Sequence, residues 1–122
     1  MPAAVGYLVI DTTDPAKLAP FWCALLNVQV EVSIGAGQFV VLTKTEDGLT
    51  VGFQQVPEAK AGKNRLHLDL VVEDLDVSTT EVEGLGGRWL EPGATHELEG
   101  FQWRCMADPD GNEFDIDVLP PE

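Results

Sequence analysis

Cations, cysteines and long apolar runs are all scarce in this chain. Of its 122 residues only 7 are lysine or arginine, against 21 aspartates and glutamates, a formal net charge of −14. Nucleic acids and anionic membrane surfaces are bound through basic faces, so neither is an expected partner. No apolar run approaches the ~18–20 residues needed to cross a bilayer. Met1-Pro2-Ala3-Ala4-Val5 has no basic stretch, so no secretory leader is expected. Two cysteines, Cys23 and Cys105, are too few for a disulfide framework, and a cytoplasmic protein with reduced thiols is the expectation. There is one tyrosine and there are two histidines, so any imidazole chemistry falls to His67 or His96.

The composition present is that of an ordinary globular domain, with 44% hydrophobic residues, enough for a core. The acidity is uneven. Residues 1–61 hold 3 basic and 6 acidic side chains (net −3), and residues 62–122 hold 4 and 15 (net −11). Solubility accounts for that excess. A cationic ligand would also suit it.

The stretch Asn64-Arg65-Leu66-His67-Leu68-Asp69-Leu70-Val71 alternates, with leucines on one face and His67 and Asp69 on the other, as a half-buried strand does. A similar strand, Gly6 to Asp11, opens the chain. Asp14-Pro15 then starts a helix, whose Leu18, Phe21, Trp22, Leu25 and Leu26 form one apolar stripe. Asn27 suits its left-handed end. Pro20 is expected to kink the first turn or delay the helix start. Strands follow over 28–34, 38–44 and 49–56, and 57–63 is a polar linker. After the strand at 64–74, Asp74 or Asp76 caps a short helix with Val77, Val82 and Leu85 inward. Residues 88–90 form a strand, 91–100 a loop, and 101–106 and 113–119 two strands joined by Asp108-Pro109-Asp110-Gly111. That turn could be read as a calcium-loop fragment, but it lacks the rest of a twelve-residue ligand set, and a hairpin turn explains it.

The order β-α-β-β-β thus occurs twice. Tyr7 to His67 and Asp14 to Asp74 are both 60 residues apart. We read one α+β domain over 1–122, made of two βαβββ modules (about 1–60 and 61–122) whose curved mixed sheets surround a concave pocket. His67, Asp69, Asp115 and Asp117 share the pocket faces. Three carboxylates and an imidazole crowd together at a cost unless the pocket is wet or holds a metal or a cationic ligand. His67 is a metal ligand or general base, or else a pocket histidine hydrogen-bonded to Asp69. Tyr7 can hydrogen-bond a substrate or pack. Trp103 and Trp89 are core or stacking walls, and Trp22 is core. Arg104 anchors an anion or faces solvent. Neither cysteine carries a nucleophile signature, and Gly35-Ala36-Gly37 is not followed by a helix and is no phosphate loop.

Two such modules, the DPDGNEF turn and the opening LHLDLVVEDLD resemble the vicinal oxygen chelate superfamily, which holds glyoxalase I, bleomycin-resistance proteins, fosfomycin-resistance enzymes and extradiol dioxygenases. DTTDPAKLAPFWCALL and KNRLHLDL are similar to its small bacterial glyoxalase-like proteins. The resemblance implies metal ligands on the first and last strands of each half. His67 fits the family's position, and Asp115 stands where glutamate is usual. Tyr7 stands where histidine or glutamine is expected, and the remaining position falls near Gly52 or Gln54. His67 and Asp115 are therefore the implied catalytic and metal-ligating pair, with Zn, Ni, Mn or Fe as the metal if one binds. Tyr7 and Gln54 at the family positions, with Asp69, Trp103, Arg104 and Asp117 from the strand faces, are the candidate substrate contacts. A two-histidine iron site is not expected, because His96 lies in the loop.

Three functions follow from the resemblance. The first is a glyoxalase-like lyase or isomerase acting on a small molecule. The second is a metal-free protein that binds cationic or aromatic, antibiotic-type compounds. The third is a relative with an eroded site that works through protein contacts. The family also implies a homodimer, which would cover open sheet edges.

Overall fold

A computed structural model describes residues 2–122. It contains two compact units, Met1–Lys60 and Ala61–Glu122, each built from one helix and one mixed sheet. No helix among the described residues is long and apolar enough to cross a membrane.

The first unit runs β1 (Leu8–Thr12), α1 (Pro15–Leu26), β2 (Val30–Ile34), β3 (Phe39–Leu42) and β4 (Val51–Gln55). The sheet order is β1-β4-β3-β2, with β1 parallel to β4 and the other pairs antiparallel. Alternation puts Val40 and Leu42 of β3, with Val51 and Phe53 of β4, under α1, where Leu18, Ala19, Phe21 and Trp22 meet them. Phe21 and Trp22 pack edge to face at 5.4 Å. Each large side chain so buried contributes roughly 1.5–3 kcal/mol.

Pro20 neither delays nor ends α1, which starts at Pro15 and runs through it. It sits on the solvent side, so the carbonyl of Ala16, deprived of a helical donor, is on the wet face. Asp14 occupies the cap position, but its side chain accepts no capping bond. Asn27 takes the left-handed conformation (φ 55°) at the helix end, as its residue type suggests.

The second unit runs β5 (Leu68–Val71), α2 (Leu75–Gly84), β6 (Arg88–Trp89), β7 (His96–Leu98), β8 (Phe101–Ala107) and β9 (Glu113–Val118). β5 is parallel to β9, which is antiparallel to β8. β6 and β7 lie end to end along the other edge of β8, pairing with Met106–Ala107 and Phe101–Trp103 respectively. Leu75, Val82, Met106, Phe114 and Ile116 make the core beneath α2. Asp74 caps α2, its carboxylate accepting from Val77 N at 2.9 Å.

Three expectations are corrected by the second unit. Val77 points outward (64% exposed), and Thr79 takes the inward place, its hydroxyl satisfied by Leu75 O at 2.7 Å. Residues 91–100 are not all loop. β7 forms because Glu99 (φ 50°) and Gly100 (φ 89°) make a two-residue reversal between the paired Leu98 and Phe101. The opening strand is also shorter than its alternating pattern, so His67 lies just before β5.

Candidate functional site

The acidic face of the second sheet follows from strand alternation. Phe114 and Ile116 of β9 are buried against α2, so Asp115 and Asp117 project from the opposite face. The parallel register sets Asp69 of β5 beside Asp115, and Val71 beside Asp117. His67 precedes Asp69 by two residues. Its Nε2 lies 3.0 Å from Asp69 Oδ1 and 3.5 Å from Asp115 Oδ2.

The approach to β5 is fixed to the start of β9. Asn64 N donates to Glu113 Oε2 at 3.0 Å, Glu113 N donates to Asn64 Oδ1 at 3.2 Å, and Lys63 pairs with the same glutamate. These contacts hold the segment bearing His67 in register with the carboxylates.

Burial pushes the Asp115 carboxyl above its usual range, and the neighbouring Asp69 charge adds to that; His67 opposes it. Asp117 is pushed further, to about 7, first by burial and then by a hydrogen bond and charge repulsion from Asp69. Its Oδ1 is buried without a hydrogen-bond partner. Asp117 therefore carries its proton close to neutrality.

The sign for stability follows. The unfolded chain releases this proton near the ordinary aspartate value of 3.8, whereas the folded chain holds it to about 7. A raised carboxyl stabilises at low pH, and that contribution is lost as pH rises through the folded value. Asp117→Asn keeps a donor towards Asp69 and removes the ionisation. It should raise stability by about 1 kcal/mol at pH 8, a figure reduced because the group faces open solvent, or about 3 °C in the unfolding midpoint. At pH 3, below the unfolded value, the variant and the parent should unfold together, and the gap should open as pH rises from there to 7. Equal midpoints at pH 8 would refute this.

An open hollow of about 460 Å³ lies over this face. His67, Asp69, Asp115 and Asp117 form its polar side, and Leu98, Phe101, Gln102 and Trp103 the other. Trp103 is opposite Asp117 in the ladder and stacks on His96, with ring centroids 5.4 Å apart. The hollow therefore joins an acid–base group to an aromatic wall.

Arg104 does not line it. Alternation turns its side chain to the α2 side, where the guanidinium reaches Asp76 Oδ1 (2.8 Å), Thr79 Oγ1 (2.8 Å) and Thr95 Oγ1 (3.0 Å) and covers the Trp89 ring at 4.3 Å. Four of its five N–H donors are engaged on this side, Leu75 O included, so it is not placed to anchor a substrate anion in the hollow. Trp89 is accordingly a structural partner rather than a wall of the hollow.

Tyr7 and Gln54 belong to the first unit. Tyr7 precedes β1 and is 61% exposed, and Gln54 is exposed on β4 opposite Asp11 and Phe39. At Gly52 a side chain is lacking, and the Phe39 ring lies 3.5 Å from where a Cβ would stand.

The sequence reading missed a neighbouring group. Glu91, His96 and Cys105 bring a carboxylate oxygen, an imidazole nitrogen and a thiol within 4.8 Å of one another. No residue-type signal announced it: β7, which carries His96 to β8, turns on a Glu-Gly pair at 99–100 rather than on Asn-Gly or Asp-Gly.

The profile of the glyoxalase-like domain family matches residues 7–116. Among solved structures, a glyoxalase/bleomycin resistance protein/dioxygenase family enzyme from Burkholderia phytofirmans is 18% identical, with a TM-score of 0.75 over 93% of this chain and 96% of that one. A genomically encoded fosfomycin resistance protein from Listeria monocytogenes is 16% identical, with a TM-score of 0.77 over 97% and 92%. An oxidase, ChaP-H2, is 19% identical, with a TM-score of 0.69 over 98% and 96%. At these identities the likeness is one of fold. No curated protein matches the chain.

Proposed function

This chain belongs to the glyoxalase-like domain family, and from that premise we propose that it is a small-molecule enzyme of lyase or isomerase type with a divalent-cation site on His67 and Asp115. The observation that carries the reading is one grouping. His67, Asp69 and Asp115 bring three ligand atoms within 4.8 Å of one another beside the hollow.

The residues suit a cation. One imidazole with carboxylates is a ligand set for Zn, Ni, Mn or Fe. Mutual repulsion among Asp69, Asp115 and Asp117, and the unpartnered Oδ1 of Asp117, are what a positive charge would relieve. Such an ion supplies Lewis-acid polarisation of a substrate oxygen when bound.

The protein's own residues supply the rest. Asp117, protonated close to neutrality and lining the hollow, can give or take a proton there. Trp103 and Phe101 offer apolar surface on which a planar substrate can rest and water be excluded. Asp69, 3.0 Å from His67 Nε2, would offer a further carboxylate oxygen to the ion.

The test is elemental analysis of the purified protein. About one equivalent of Zn, Ni, Mn or Fe is expected, and it should be lost in His67→Ala with the far-UV circular dichroism unchanged. Protein that arrives without metal and takes up none of these ions would sink the reading.

One observation favours a second reading, a metal-free binding protein of the kind named in the bleomycin-resistance relatives. The rim of the hollow exposes Leu98 (65%) and Phe101 (46%) next to the carboxylates, as a cationic aromatic guest would require. Metal-free protein whose unfolding midpoint rises with such a compound would support it.

The reading includes a homodimer. β2 is an edge strand, and Val30, Val32 and Ile34 on it are 42–54% exposed. Light scattering should return twice the 13.2 kDa chain mass; the mass of a single chain would refute the dimer.

A further inference from the structure

We propose that Glu91, His96 and Cys105 form a second divalent-cation site, selective for zinc, at a break in the edge of β8. The break is a product of topology. β6 pairs with β8 at Trp89↔Met106, and pairing resumes in β7 at His96↔Trp103. Between these points the chain leaves the ladder. Leu90 N donates to Cys105 O at 2.9 Å as the last contact of the β6 side, and Ala94 N donates to Glu91 O at 2.9 Å, closing a turn. Glu91 and His96 therefore stand on the two lips of the gap, with Cys105 on β8 between them.

The side chains converge there. His96 Nε2 is 3.0 Å from Glu91 Oε1, and the thiol lies within 4.8 Å of both ligand atoms. The His96 ring is held flat against Trp103, with 24° between the planes. His96 and Cys105 are half-buried and Glu91 is exposed, so an ion would have protein on one side and an entry path on the other.

The donor set decides the metal. Sulfur, imidazole nitrogen and one carboxylate oxygen suit zinc, whose tetrahedral sites use these ligand types. Magnesium and calcium would find a single hard oxygen in place of the six or more they need. With three protein ligands the fourth position stays open to water or a small ligand. Binding converts the Cys105 thiol to thiolate and releases one proton to solvent, with no change of oxidation state.

This site does not rest on the function proposed for His67, and one experiment separates the two. Reduced protein is titrated anaerobically with Co²⁺, and the thiolate-to-cobalt charge-transfer band in the near ultraviolet is followed. The band should appear and be displaced by one equivalent of Zn²⁺. Cys105→Ser should abolish it. His96→Ala should weaken the binding that produces it by more than about 100-fold, beyond the 10–100-fold usual for outer-shell partners. Glu91→Gln, which preserves shape, should weaken it as well. His67→Ala should leave the band intact, whatever it does to other metal binding. No band in the parent protein, or a band that forms at the same cobalt concentration in His96→Ala, overturns the proposal. Loss of the band in His67→Ala also overturns it, because Cys105 would then serve the other group. Far-UV circular dichroism of each variant confirms that the fold is kept.

Discussion

Asp108→Ala is expected to cost about 3–5 kcal/mol of stability and to lower the unfolding midpoint by roughly 10 °C, a larger loss than a surface carboxylate can cause. Asp108 is 1% exposed. One carboxylate oxygen accepts from Asp110 N (3.0 Å) and Asn112 N (2.9 Å), and the other from Asn112 Nδ2 (2.9 Å). The backbone closes the same turn through Asp108 N to Asn112 O and Gly111 N to Asp108 O, both 2.9 Å. Alanine would remove the acceptor of three part-buried donors and leave a void where the buried carboxylate stood, and each stranded donor costs about 1–3 kcal/mol.

The damage should also reach the site, because this turn sets the register in which β9 presents Asp115 and Asp117. An exposed control, Glu81→Ala, should stay within about 0.5 kcal/mol of the parent. Chemical denaturation of the three proteins measures this. An Asp108→Ala protein as stable as the control would show that the turn holds its shape through backbone bonds alone.

The role of Asp108 illustrates what a single sequence carries. Asp-Pro-Asp-Gly marks a turn by residue type, and the turn is there. That its first aspartate is a buried hub depends on where the two strands come together, which residue type does not state. The helices were legible because Asp14-Pro15, Asn27 and Asp74 punctuate apolar stripes of helical period. β7 was not legible. Its turn is Glu-Gly rather than the Asn-Gly or Asp-Gly that announces a type I′ reversal, and Glu99 adopts positive φ without the side-chain help that asparagine provides.

The site divides in the same way. Alternation alone predicts that Asp115 and Asp117 share a face, and likewise His67 and Asp69. Bringing the two pairs within 3.5 Å requires the parallel register Asp69↔Asp115, which is set by the core beneath α2 and by the Asn64–Glu113 clasp. Arg104 was ambiguous for a related reason. Its strand parity is readable, but the Asp76, Thr79 and Thr95 groups that consume its donors come from separate segments.

If His67 and Asp115 hold a divalent ion, the variants should rank by their distance from it. His67→Ala removes a ligand atom and should lower metal affinity by more than about 100-fold, about 2.7 kcal/mol or greater. Asp69→Asn keeps the shape but removes a negative charge 3.0 Å from the ligating His67 Nε2, and a loss of about 10–100-fold is expected. The pH dependence has a definite sign. Ligation needs an ionised carboxylate and a neutral imidazole, so protons compete with the ion. Asp115 is already pushed towards its protonated form by burial and by Asp69, so the competition extends above the usual carboxylate range. Affinity should therefore strengthen as pH rises from 5 towards neutrality, with protons released on binding. Calorimetry in two buffers of different ionisation enthalpy reads both quantities. Affinity that is flat with pH and unchanged in His67→Ala would place any bound ion elsewhere on the chain and return the hollow to the binding-protein reading. In that case Trp103 and Phe101, rather than the carboxylates, become the residues whose replacement abolishes ligand-induced stabilisation.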